Sequence, residues 1–387
     1  MISSMMMSSC RGNSAISESI KVSDMVKNAN EYIESEIGNV NNERKGKYHL
    51  SSPIGWMNDP NGLSQFKSTF HAFYQYNPYD SVWGPMHWGH QTSKDLIKWE
   101  REDVALAPDQ EYDESGCFSG SALVEDDTMY LAYTCVSNGL QNQAMAISKD
   151  GKVFQKLEDN PIIDGDDLLE GFSNVDFRDP KITKIDNKYY IITGNCDNNG
   201  NKQILIFEAD KPTGKYAYKG IIYSRKDVGG IFECPDMIEM GDDDILVACP
   251  QSMFNANPYE LQNTDTPIYI VGNLSTKSYR FYKKGEAKEF DEFDKGFSFY
   301  APQCFKSEDG RTILMAWMKN WQELNVTYGD GWAGSLTLPR ELTLKNAHVY
   351  QSPVREIYNY MGEDQEFSNQ ELSSSSYELF ESKYFFK

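Results

Sequence analysis

The spacing of hydrophobic positions changes once along the chain, near residue 48. Before that point, Val22, Val26, Ala29, Ile33 and Ile37 recur at spacings of 4, 3, 4 and 4. Such spacing lines up on one helical face, so KVSDMVKNANEYIESEI predicts an amphipathic helix packed on the outside of the body. Residues 1–15 are polar and expected to be disordered, and GNVNNERKGK (38–47) reads as a polar linker. From 48 onward, short aromatic and β-branched runs are separated by Asp, Asn and Gly, the pattern of strands and turns. Five runs look alike: FHAFYQYNP, MYLAYTCV, KYYIITGNC, DILVACPQ and TILMAWMKNW. They begin at Phe70, Met129, Lys188, Asp244 and Thr312, which are 59, 59, 56 and 68 residues apart. Each follows a short strand and a polar turn, and four are followed by a second polar turn with an aromatic.

A repeat of roughly 60 residues holding about four strands signals a propeller or an array. Five units over 48–345 therefore predict an all-β fold, a five-bladed β-propeller with an N-terminal helix and a short C-terminal tail. An ordinary β-sandwich with regular turns is the alternative. The expected organisation is 1–47 for the start, helix and linker, 48–349 for the propeller, and 350–387 for a polar, Ser-rich tail. That tail ends in a possible strand, YELFESKYFF.

Composition narrows the function. A formal net charge of −21 argues against a nucleic-acid partner, which would call for a basic face. No stretch approaches the length of a membrane span. The start, MISSMMMSSCRGNS, has no apolar run of signal-peptide length. The 7 cysteines are scattered and include no C-x-x-C pair, which fits a reducing, cytoplasmic setting better than a disulfide framework. His87 and His90 in MHWGH lack the i, i+4 spacing of a helical zinc site, and no third ligand is evident, so no metal is expected. Aromatic residues make up 13% of the chain, a richness that suits strands and also suits sugars, whose C–H faces pack on flat rings.

The carboxylates carry the chemistry. Just before the first strand of successive units stand Asp59 in NDPNG, FSGS at 118–121, Asp179 in FRDP, Glu233 and Asp236 in ECPD, and FYAPQ at 299–303. Equivalent points of different blades converge on a propeller's axis, so acids far apart in sequence can line one funnel. Pro60, Pro180 and Pro235 restrict the backbone beside them. Clustered carboxylates spread their pKa values. A protonated carboxyl beside an ionised one is the equipment for breaking a glycosidic bond. Arg178 would favour the ionised form of a nearby acid and could donate to sugar hydroxyls. Taken singly, each acid reads more readily as a turn former or a surface charge; their shared repeat phase is what points to a site. Cys234 as a nucleophile has no identifiable His partner.

The motifs WMNDPNG, FSGS, FRDP, ECPD, FYAPQ and WAGSLTLPREL, in this order over about residues 45–355, resemble glycoside hydrolase family thirty-two. That family contains invertases, sucrose-6-phosphate hydrolases and fructan hydrolases. The helix before KYHLSSPIGWMNDPNG looks most like the bacterial intracellular sucrose and sucrose-6-phosphate hydrolase branch. The resemblance implies a five-bladed propeller and a retaining β-fructofuranosidase without a cofactor, acting on a small-molecule sugar. By motif it implies that Asp59 is the nucleophile, Glu233 the acid/base and Asp179 the transition-state stabiliser. It also implies that Asn58, Gln75, Trp83, Phe118, Ser119, Arg178 and Trp321 line the sugar site. Family members usually carry a C-terminal β-sandwich, and this chain stops about where its first strand would begin. Two other readings are a fructosyltransferase and a non-catalytic sugar-binding propeller. The sequence does not choose among sucrose, sucrose-6-phosphate and short β-fructans, and oligomeric state is unreadable.

Overall fold

A computed structural model of the chain, describing residues 22–253 and 260–362, contains five separate sheets in which consecutive strands pair antiparallel. Blade one is built from Gly55–Phe66, Thr69–Asn77, His87–Ser93 and Glu100–Arg101. Blade two follows with Gly116–Glu125, Thr128–Ser137, Leu140–Ser148 and Gln155–Lys156, and blade three with Phe172–Ile185, Lys188–Asp197, Lys202–Ala209 and Ala217–Arg225. Blade four uses Phe232–Met240, Asp243–Pro250, Ile268–Ser275 and Arg280–Lys283; blade five uses Tyr300–Lys306, Thr312–Trp317, Arg340–Lys345 and His348–Pro353. The five look-alike runs are the second strands of the blades. Trp332–Ala333, in the connection within blade five, pairs parallel with Gly55 and Trp56 and so ties the end of the array to its start. The chain is a five-bladed β-propeller with, among the described residues, one α-helix, α1 (Asp24–Glu36).

Helix α1 forms where the apolar stripe predicts it. The Ser23 side chain caps it by accepting from the Val26 N–H at 3.2 Å. Val26, Ala29 and Ile33 are buried, and Val22 and Ile37 pack against the same cluster. That cluster also holds Leu63 and Tyr74 of blade one and Ile313 and Met315 of blade five, so the helix covers the junction where the ring closes.

The structure corrects where the motifs lie. The acids do not precede the inner strands; they sit inside them, on or beside a β-bulge that every blade repeats. In blade one, Asn58 and Asp59 together oppose Gln75. In blade two Phe118 and Ser119 oppose Thr134, and in blade three Asp179 and Pro180 oppose Thr193. Cys234 and Pro235 oppose Ala248 in blade four, and Ala301 and Pro302 oppose Ala316 in blade five. A bulge sharpens the local twist and re-aims the side chains on it. It also tolerates proline, which cannot donate to a ladder. Asp179, Cys234 and Ala301 stand at φ 65°, 44° and 49°, left-handed backbone that L residues rarely adopt.

Beneath the bulges a polar ring links all five blades. Gly120 N–H donates to Asn61 Oδ1 at 3.3 Å, Leu63 N–H to Gln303 Oε1 at 2.8 Å, and Gln303 Nε2 to the Gly120 carbonyl at 2.9 Å. Ser121 Oγ donates to the Pro180 carbonyl at 2.8 Å. Lys181 Nζ lies 2.6 Å from Asp236 Oδ1, whose Oδ2 accepts the Cys304 N–H at 2.6 Å. Asp236, grouped with Glu233 by sequence, thus belongs to this ring rather than to the acid cluster.

Two further differences concern ends. The run TILMAWMKNW leaves the sheet after Trp317, and its last residues form a loop. The final strand, His348–Pro353, pairs with Arg340–Lys345 across the boundary expected at 349. The polar start 1–15 and the tail stretch YELFESKYFF, expected as a strand, lie outside the described residues.

Candidate active site

The repeated bulge places three acids around one point on the axis, each from a slightly different position on its strand. Asp59 is the second bulged residue of blade one, Asp179 the first of blade three, and Glu233 the residue just before the bulge of blade four. Cys234 joins them. Its N–H donates to Asp179 Oδ2 at 2.8 Å, and its Sγ lies 3.5 Å from Asp59 Oδ2.

Asp59 is buried. Ser119 Oγ donates to its Oδ2 at 2.7 Å, and Asn58 Nδ2 to its Oδ1 at 3.0 Å. Burial pushes this carboxyl above the usual range and the Glu233 charge adds to the push; Ser119, Asn58 and Cys234 pull against it. Both carboxylate oxygens are therefore fixed, and the group is shielded from bulk water. Asn58 is itself oriented by Trp56, whose Nε1 donates to Asn58 Oδ1 at 2.8 Å.

Asp179 is also buried, and burial raises it to about 7, with Arg178 opposing the rise and the charges of Glu233 and Asp59 adding to it. Its own N–H donates to Thr134 Oγ1 at 2.9 Å. Glu233 is held at both oxygens. Arg178 Nη2 donates to Oε1 at 2.9 Å and Tyr300 OH to Oε2 at 2.5 Å. Arg178 also reaches Asp176 Oδ1 at 2.9 Å, so its guanidinium is spent on two carboxylates rather than left open for hydroxyls.

The remaining expected residues divide into a wall and a rim. Gln75 is buried and donates through Nε2 to the Cys117 carbonyl at 3.0 Å, joining blades one and two. Phe118 meets Trp83 edge to face at 5.9 Å, and Trp83 is 49% exposed. Across from them, Trp321 is 41% exposed and stacks on Trp56 at 6.3 Å. Buried Trp56, Trp317 and Tyr300 pack with partly buried Phe118 and Cys234 in one apolar cluster.

Sequence reasoning did not assign roles to Tyr300, Thr134 or Asp176. Tyr300 stood in the quoted motif FYAPQ, at the correct repeat phase, but a tyrosine there carries no charge to attract attention. Cys234 is not a nucleophile in this setting. A hydrogen bond with Cys249, then burial, then the charges of Asp59 and Asp179 push its thiol well above the ordinary range, so it is held protonated. His87 and His90 are buried in packing: His87 Nδ1 contacts the Pro85 carbonyl at 2.8 Å and His90 Nε2 contacts His71 at 3.0 Å. A cavity elsewhere, lined by Val22, Asp109, Tyr112 and Lys156, contains none of the three acids.

Two buried acids and a third held by a guanidinium and a phenol, with an aromatic rim, can hold a sugar ring, attack one carbon and protonate a leaving oxygen. Comparison with known proteins agrees in kind. Residues 49–353 match the model of the glycosyl hydrolases family 32 N-terminal domain. The chain is 38% identical over 319 residues to a raffinose invertase of Escherichia coli, covering 80% of this chain and 64% of that protein. It is 37% identical over 348 residues to a sucrose-6-phosphate hydrolase of the same species, covering 86% and 70%. Among solved structures, a Bombyx mori GH32 beta-fructofuranosidase in complex with sucrose superposes with a TM-score of 0.79 at 35% identity, covering 87% of this chain and 71% of that one. The chain thus spans about two thirds of the length of these relatives. On the strength of the match over its whole propeller, the chain belongs to the glycosyl hydrolases of family 32.

Proposed function

We propose that this propeller is a retaining β-fructofuranosidase that releases fructose from sucrose-type substrates. The observation that carries the reading is the convergence of Asp59, Asp179 and Glu233 around Cys234. The relatives' names, raffinose invertase and sucrose-6-phosphate hydrolase, support the substrate class. Asp59, with both oxygens fixed and its charge partly desolvated, attacks the anomeric carbon of the fructosyl unit. Glu233 gives its proton to the glycosidic oxygen as the bond breaks, so the second sugar leaves neutral. The same carboxylate, now ionised, takes a proton from water, and the hydroxide formed releases fructose from Asp59. Asp179 accepts hydrogen bonds from fructosyl hydroxyls. Arg178 and Tyr300 keep Glu233 in place while its charge changes. The scattered cysteines, with no C-x-x-C pair, fit a reducing, cytoplasmic setting.

The test is sucrose turnover by Asp59→Asn and Glu233→Gln. Each variant is expected to fold and to lose activity by about four orders of magnitude, as when a unit of a catalytic group is removed. Turnover within about tenfold of the parent in either variant would overturn the assignment.

A further inference from the structure

Lys319 stands just after the second strand of blade five, on the connection that also carries Trp321. It is half-buried. Its ammonium lies 5.2 Å from the centre of the Trp56 ring and 5.7 Å from that of Trp317, within the range of cation–π attraction. Nζ donates to the Glu323 carbonyl at 2.8 Å. Among the described residues no carboxylate lies within ion-pair distance of it. Trp56 is the residue that orients Asn58, which in turn donates to Asp59. One indole and one amide therefore separate this cation from the proposed nucleophile.

The charge around it sharpens the point. The chain carries a net charge of −21, and three carboxylates crowd the floor of the site, so an anionic sugar is repelled unless a local cation receives it. Several other cations of the propeller are committed to carboxylates. Arg178 is bound to Glu233 and Asp176, Lys181 to Asp236, Arg340 to Asp294 and Arg44 to Asp330. An ammonium has three donors, and only one of those on Lys319 is taken by a carbonyl. Burial lowers its affinity for its proton, a cost that an adjacent dianion offsets.

We propose that Lys319 is a specificity-determining residue that receives a phosphate on the leaving sugar, selecting a phosphorylated disaccharide over its neutral counterpart. The inference rests on the fructosidase reading above. With the fructosyl ring at Asp59, a leaving sugar that extends past Trp56 toward Trp321 would bring its charged substituent to Nζ. The neutral hydroxymethyl group of an unphosphorylated sugar gains far less from the same contact.

The experiment compares kcat/KM on sucrose-6-phosphate and on sucrose for the parent, Lys319→Met and Lys319→Arg. Methionine keeps the stem that covers the indoles and removes the charge. The ratio of the two kcat/KM values should fall about 10- to 100-fold in Lys319→Met, the size of a hydrogen bond to a charged group, with the change in KM. Lys319→Arg should restore most of the ratio. An unchanged ratio in Lys319→Met, including an equal loss on both sugars, overturns the proposal while leaving the fructosidase reading intact. A parent that cleaves neither sugar overturns both.

Discussion

Two ion pairs link the same two inner strands, three residues apart. Arg178 meets Glu233 at 2.9 Å, and Lys181 meets Asp236 at 2.6 Å. Their side-chain exposures are 13% and 15% for the first pair, and 12% and 3% for the second. Burial and pairing therefore do not distinguish them; their neighbours do. The lower pair faces backbone, with the Cys304 N–H completing Asp236 and the Cys304 carbonyl accepting from Lys181 at 2.8 Å. The upper pair faces two more buried acids, Asp59 and Asp179, which share no cation of their own. A charge that is matched holds the blades together. Charges in excess of their partners are kept against their electrostatic cost, and they mark the candidate site for the proposed chemistry.

Breaking the lower pair should give the largest effect on stability. Lys181→Met strands Asp236 as an unpaired buried charge and should cost about 3–5 kcal/mol, read by denaturant unfolding. The double variant Lys181→Met with Asp236→Leu should recover much of that loss, because no lone charge remains. Total activity should follow the fraction folded, and activity per folded molecule should stay near that of the parent. A single variant as stable as the parent would show that the pair adds nothing to the ring.

A smaller effect should come from the upper level. Ser119→Ala removes the 2.7 Å donor to Asp59 and should lower kcat by about tenfold, the scale of a hydrogen bond to a charged group. The sign of its pH effect follows from the same bond. Ser119 pulls the Asp59 carboxyl down against burial, so its loss lets Asp59 rise further. The acidic limb of the kcat/KM profile should therefore move to higher pH. A move to lower pH would contradict the role given to Ser119.

Much of the fold was legible because a propeller repeats itself. The second strands are apolar runs bounded by turns, and their spacing counts the blades. Turn chemistry varies: Asn138-Gly139 joins two strands with both φ positive, 52° and 77°, as a two-residue hairpin asks. Lys67-Ser68 adopts the same form, at 50° and 59°, without the residues that favour it, because sheet pairing overrides local preference. The acids were legible through their prolines and their phase. What the sequence could not convey is the bulge, whose register puts Asp59, Asp179 and Glu233 at three different offsets and sends Asp236 downward. Tyr300 and Lys319 were hidden for a related reason. Their roles come from which blade lies next to theirs in the closed ring, and residues that meet there are up to some 260 positions apart, as Trp56 and Lys319 are.

The central claim is that Asp59 forms a covalent bond with fructose. It is tested most directly by acid-quenching the enzyme during turnover of sucrose and measuring the masses of its peptides. The account predicts that the peptide bearing Asp59 gains one fructosyl unit, and that Asp59→Asn does not. A fructosyl unit on another residue, or steady turnover with inversion at the anomeric carbon and no adduct, would contradict it.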